Sequence, residues 1–166
     1  SLLNAANEAL PSLVLRGGGA RSIGFRDLGS GMIAVHIEID CLDAMGANML
    51  NTAAEALGPR VSELAGGTLV LRILSNYCDR RLSRAWTRIP VEALGDERVD
   101  GLSAARGIDN ASRFAERDVY RAVTHNKGIM NGVDAVVVAT GNDFRAVEAA
   151  AHAFAARSGR YSPLST

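Results

Sequence analysis

Lysine is almost absent from this chain: of its 18 basic residues only Lys127 is a lysine, and the other 17 are arginines. Where arginine has taken nearly every basic position, the one lysine points to a need that guanidinium does not meet. An ammonium is a compact point donor, whereas guanidinium is a planar fork. An excess of either charge is also missing, since 18 Lys and Arg balance 18 Asp and Glu, and no basic block occurs. That removes the electrostatic footprint of a nucleic-acid or membrane-surface binder and favours a small-molecule partner. Cysteine is scarce: Cys41 and Cys78 form no CxxC, and His36, His125 and His152 show no zinc-ligand spacing. The expectation is a reduced, cytoplasmic protein without structural metal. No apolar run approaches the roughly 20 residues that span a bilayer. Repeats and low-complexity tracts are absent, and Ser1-Leu2-Leu3-Asn4 is neither a basic signal region nor an initiator sequence. A start partway into something longer is therefore expected.

What is present is ordinary globular material, 166 residues with 48% hydrophobic content, enough for one core or for a small domain plus part of another. Residues 2 to 10 read as a helix closed by Pro11, followed by an extended Leu13-Val14-Leu15 and then Gly17-Gly18-Gly19. That triplet suits either a plain turn or a close backbone approach to a ligand. Residues 21 to 28 and 32 to 39, separated by Gly29-Ser30-Gly31, read as an antiparallel hairpin, with Ile33, Val35, Ile37 and Ile39 alternating against Met32, Ala34, His36 and Glu38. His36 falls on the polar side and is read as surface. Asp43 is placed to cap a helix whose apolar face runs from Met45 to Leu57, with Gly58-Pro59 ending or kinking it and a second helical piece at 61 to 65. Runs 68 to 75 and 84 to 89 read as strands. The order helix, two strands, helix, two strands predicts an α+β, ferredoxin-like antiparallel sheet with helices on one face. A domain boundary is expected at 95 to 101. Beyond it the pattern is helical, at 102 to 116, 118 to 123, 129 to 139 and 144 to 157, with Lys127 in a loop.

Two stretches carry candidate chemistry. In the first, Thr124 to Arg145, Lys127 precedes an apolar run that ends at Thr140-Gly141-Asn142-Asp143, so an ammonium and a carboxylate on two loops can meet. The alternative is a solvated lysine and an ordinary cap. In the second, Gly46 costs the opening turn of its helix about 1 kcal/mol relative to alanine. A glycine there opens the positive end of the helix to an anion such as a pyrophosphate, with plain helix packing as the alternative.

The blocks D-A-M-G-A-N at 43 to 48, L-R-I-L-S-N at 71 to 76, Y-R-A-V-T-H-N-K-G-I-M-N-G at 120 to 132 and A-T-G-N-D-F-R-A-V-E-A at 139 to 149, in that order, resemble the 3-hydroxy-3-methylglutaryl-coenzyme A (HMG-CoA) reductases. The bacterial class II enzymes are the nearer match. The loop Asn76-Tyr77-Cys78-Asp79-Arg80-Arg81 carries arginines where the animal-type class carries its catalytic lysine, and the lone lysine lies at 127, which is the class II arrangement.

The resemblance implies an oxidoreductase that interconverts HMG-CoA with mevalonate and CoA, using NAD or NADP. It makes Lys127 the residue that polarises the thioester carbonyl and Asp143 the carboxylate that orients it. Arg121 would bind the free carboxylate of the acyl group, with Asn131 and Asn76 contacting substrate or nicotinamide. Asp43, Met45, Gly46, Ala47 and Asn48 would form the dinucleotide motif. Residues 1–100 would be the small cofactor domain and 101–166 a helical slice of the large domain, in a homodimer or higher oligomer whose active site lies at the subunit interface. The family's catalytic glutamate and its thiol-protonating histidine fall outside these 166 residues. Ala9-Leu10-Pro11-Ser12 holds no carboxylate where the NAD-dependent relatives bind the ribose hydroxyl, so NAD and NADP both stay open. A non-catalytic α+β ligand-binding module is the competing reading.

Overall fold

The computed structural model describes all 166 residues. They form two compact units, 1–75 and 76–166. The class is α+β, as expected.

In the first unit the opening helix α1 (Leu2–Glu8) is capped by the Ser1 hydroxyl, which accepts from the Asn4 amide. Pro11 does not simply end it. Proline has no N–H to lose in a first turn and its φ is already helical, so Pro11 starts a second short helix, α2 (Pro11–Leu15), where an extended piece was expected. Strands β1 (Gly19–Gly29) and β2 (Met32–Asp40) form the hairpin. Ser30 and Gly31 both take positive φ, 53° and 76°, the handedness that matches the twist of the flanking strands in a two-residue turn. His36 is exposed as expected and accepts from Arg26 Nε at 3.0 Å.

In the glycine triplet, Gly17 takes a positive φ of 91° in open space, and close packing holds Gly18. A β-carbon on Gly18 would lie 2.6 Å from the Leu13 side chain and 2.7 Å from the Asp40 carbonyl oxygen. Nearby, Asn7 Oδ1 accepts from the Ala20 amide at 2.7 Å, and Arg21 bridges the Gly17 carbonyl and the Asp40 carboxylate.

Helix α3 (Ala47–Ala65) continues through Pro59, so of the expected end or kink at Gly58-Pro59 the end does not occur. Ala53 and Leu57 are buried on its inner face, and Leu10, Leu13 and Ala53 form the core, with Ile39 and Met49 packed against it. This burial carries the helix past the backbone bond that Pro59 forfeits. The run 68–75 is not a strand. It lies along α3, where Arg72 pairs with Glu55 at 2.9 Å, the Leu74 amide donates to Asn51 Oδ1 at 3.0 Å, and Leu69 and Arg72 close over Gly58. With its amide and side chains directed to a helix, this run adds no strand to the hairpin, and the sheet has two strands rather than four.

In the second unit, 84–89 is likewise without a ladder, and Trp86 is 81% exposed. A single 3₁₀ turn, Val91–Leu94, precedes three helices. Asp100 caps α4 (Gly101–Arg117), and its hydrogen bonds from the Ser103 hydroxyl and amide hold its carboxyl below the usual range. Asp118 caps α5 (Val119–Ala139) and Asp143 caps α6 (Phe144–Ala155). Where a short helix, a loop and a second helix were expected between 118 and 139, α5 is one helix of 21 residues. Its inner stripe Ala122, Asn126 and Met130 is buried at intervals of four, the spacing of one helix face.

Candidate active site

Lys127 lies mid-way along α5, exposed, and it makes no hydrogen bond or ion pair. The helix rather than a loop positions it. Its neighbour Asn126 is wholly buried and has both amide atoms engaged: Nδ2 donates to the Ser162 carbonyl at 2.9 Å and Oδ1 accepts from the Leu164 amide at 2.8 Å. His125 meets Ser165 Oγ at 2.8 Å, and His152 Nδ1 meets the Tyr161 hydroxyl at 2.7 Å. The segment after α6 is thereby strapped along α5, which fixes the rotation of the helix and hence the face on which Lys127 stands. Nothing in the local residues marked Asn126 beforehand except its place four residues from Ala122 and Met130.

Asp143 is also exposed, and its carboxylate accepts from the Ala146 amide at 3.1 Å as the cap of α6. The expected meeting of Lys127 and Asp143 does not occur within one chain. From Lys127 to the end of α5 at Ala139 the axis rises about 18 Å, against about 4 Å for an ion pair, and Asp143 lies past that end.

Arg121 is half-buried in the first turn of α5, where its backbone amide donates to Asp118 Oδ2 at 2.6 Å and its guanidinium has no partner. Asn131 is exposed one turn beyond Lys127, and Asn76 is exposed in an irregular turn. The structure therefore brings Lys127 and Asn131 onto neighbouring positions of one helix, and it shows no contact between them and Asn76 or Arg121.

In the first unit, Asp43 is not the cap of α3. It sits in the turn closed by the Ala44 amide and the Cys41 carbonyl at 3.2 Å, beside Leu42, whose φ of 55° is left-handed. The cap is Gly46, at φ 92°, and a β-carbon there would lie 2.5 Å from Cys41 Sγ. Glycine is thus required by backbone handedness and by close packing together. With glycine as cap, α3 begins without a side-chain cap and without an acidic residue in its first turn. Met45 and Asn48 are exposed at this end, and Ala47 is half-buried. An uncapped, carboxylate-free helix start with small residues around it fits the phosphates of a dinucleotide.

Comparison with known proteins identifies the family. The model of the hydroxymethylglutaryl-coenzyme A reductase family matches residues 1–165. The chain is 45% identical to the 3-hydroxy-3-methylglutaryl-coenzyme A reductase of Archaeoglobus fulgidus over 99% of its length, and 39% identical to a probable reductase of Borreliella burgdorferi over 94%. It spans 37% and 36% of those two proteins. A solved structure of the Streptococcus pneumoniae reductase superposes with a TM-score of 0.85 at 47% identity, covering 98% of this chain and 45% of the other. Another, a class II reductase from the same organism bound to NADPH in open conformations, superposes at 0.84 with 47% identity over 98% of this chain and 40% of its own. With nearly its whole length matched by the family model and by relatives of this identity, the chain belongs to the hydroxymethylglutaryl-coenzyme A reductase family.

Proposed function

We propose that this chain is the cofactor-binding and catalytic-lysine portion of an enzyme that interconverts HMG-CoA with mevalonate and CoA, using NAD or NADP. The observation that carries this reading is the lone lysine, held exposed and unpaired on a helix whose rotation is locked by a buried asparagine, in a chain of this family. A nicotinamide dinucleotide supplies the hydride. Gly46, Ala47 and Asn48 at the start of α3 would hold its phosphates, with Asp43 and Met45 beside them, in a cofactor domain assigned to residues 1–100. The slice 101–166 holds the acyl group. Lys127 donates to the thioester oxygen and stabilises the charge that develops there, Arg121 takes the free carboxylate as a bidentate fork, and Asn131 and Asn76 position the reacting groups.

The separation of Lys127 from Asp143 in one chain supports an assembly in which a second copy completes the site. Exposed apolar residues on α5, among them Val133 and Val136, give such a copy a surface to cover. The partners are thus HMG-CoA, mevalonate, CoA and at least one further copy, in a cytoplasmic enzyme. No helix is long and apolar enough to cross a membrane. The direct test is the full-length protein containing this chain, assayed for loss of nicotinamide absorbance with NADH and with NADPH. Oxidation that depends on HMG-CoA is expected. Binding of the dinucleotide without turnover would favour a non-catalytic module instead.

A further inference from the structure

Asp40 closes β2 opposite Gly19, and its carboxylate is engaged at both oxygens. Oδ2 pairs with Arg21 at 3.0 Å, and the same guanidinium donates to the Gly17 carbonyl at 2.6 Å. Oδ1 accepts from the Leu42 amide at 3.0 Å. Leu42 is the first central residue of the turn that the Ala44 amide closes on the Cys41 carbonyl, and its φ of 55° is left-handed, a region that residues other than glycine disfavour. The other central residue is Asp43, which is exposed and makes no hydrogen bond or ion pair. Beyond the turn, Cys41 Sγ fills the place that a β-carbon on Gly46 would need, and Gly46 starts α3. The handedness of Leu42 thus sets how the chain carries Asp43 and enters the helix. An ion pair as exposed as Arg21–Asp40, with side chains 54% and 43% accessible, contributes little to stability. What the Asp40 carboxylate does is local, because it receives the amide of a residue in a conformation that leucine seldom adopts. Backbone strain maintained in this way clusters at ligand sites.

We infer that Asp40 is a positioning residue for the dinucleotide: by accepting from the Leu42 amide it holds the 41–44 turn in its left-handed form, which sets Asp43 and the Gly46–Asn48 start of α3 in place for the cofactor. Through Arg21 it also ties that turn to the glycine triplet. This rests on the cofactor binding at these residues. It adds to that reading a carboxylate outside the 43–48 motif, which acts through the turn rather than by touching the cofactor.

The test titrates the full-length protein with NADPH and with NADH, following nicotinamide fluorescence. Asp40→Ala is expected to raise the Kd for the dinucleotide about tenfold, as follows when about a tenth of the molecules keep the turn, with KM for HMG-CoA and the melting temperature little changed. Loss of a carboxylate near an anion would by charge alone tighten binding, so the direction of the change separates geometry from charge. Asp40→Asn, which keeps an oxygen for the Leu42 amide, should recover most of the affinity. The double variant Asp40→Ala with Leu42→Gly should recover it too, because glycine adopts positive φ unaided. Unchanged or tighter binding in Asp40→Ala would overturn the proposal, as would a double variant that binds no better than Asp40→Ala alone. A role in folding alone would lower the melting temperature and leave Kd unaltered, which also overturns it. Asn48→Asp, measured alongside, tests the underlying reading separately: a carboxylate at this exposed position in the first turn of α3 should repel the phosphates, and an unchanged Kd there would remove the cofactor from this helix start.

Discussion

Lys127→Arg in the full-length protein is expected to lower kcat by about 10²- to 10³-fold, the cost of removing one preorganised donor from a developing oxyanion, with KM for HMG-CoA changed by only a fewfold. The substitution keeps the positive charge, so a role as a generic surface cation predicts no effect. The loss follows because the forked guanidinium cannot take the place of a point ammonium at one oxygen. Position 127 is also the one place where a chain with 17 arginines has kept lysine. The helix context makes this a clean substitution, since Lys127 is exposed, has no hydrogen bond or ion pair to lose, and arginine and lysine have similar helix propensity. Steady-state kinetics with a parallel thermal melt check it. A variant with full kcat would place the chemistry elsewhere.

The second large effect concerns these 166 residues by themselves. Incubated with HMG-CoA and NADH or NADPH, they are expected to show no turnover, even if dinucleotide binds weakly. Reduction of the thioester leaves a hemithioacetal whose collapse expels CoA thiolate, and that step needs an acid to protonate sulfur. Loss of one positioned acid costs about 10²- to 10⁴-fold, and the family resemblance places two of the proton donors outside these residues. The proposed second-copy arrangement sharpens the expectation, because Lys127 and Asp143 of one chain are out of each other's reach. Turnover comparable to that of the full-length enzyme would show that Glu38, Asp79 or His125 supplies the proton.

Much of the local structure was legible from residue patterns, and the failures have physical causes. The hairpin was readable because Gly29-Ser30-Gly31 offers the left-handed angles of a tight turn and because Ile33, Val35, Ile37 and Ile39 alternate. α4 was readable from its helical pattern and α6 from its cap, Asp143. The runs 68–75 and 84–89 have strand composition, but a strand also needs a neighbour with free backbone groups. The first of them is held to α3 through Arg72, Leu74 and the gap at Gly58 instead. Gly128 and Gly132 each cost a helix about 1 kcal/mol, yet both lie within α5, where a loop around Lys127 was expected. The buried stripe Ala122, Asn126 and Met130 outweighs them. Asp43 reads as a cap by residue type, yet the left-handed Gly46 starts the helix three residues later. Of the candidate site, the conspicuous residues Lys127, Asp143 and Gly46 were visible by type and motif. Asn126 was not, because its importance lies in burial on a helix face that becomes apparent only once α5 is seen to be continuous.

Whether Lys127 of one copy works with Asp143 of another can be measured by complementation. Lys127→Ala and Asp143→Asn full-length proteins, carrying different tags, are co-expressed and purified through both tags so that only mixed assemblies remain. In a symmetric dimer each mixed pair then holds one site with both substitutions and one with neither, so about half of the wild-type activity per dimer should return, although either variant alone is nearly inactive. Mixed dimers no more active than the single variants would contradict the account, because they would show that the lysine and the carboxylate serve the same site from the same chain.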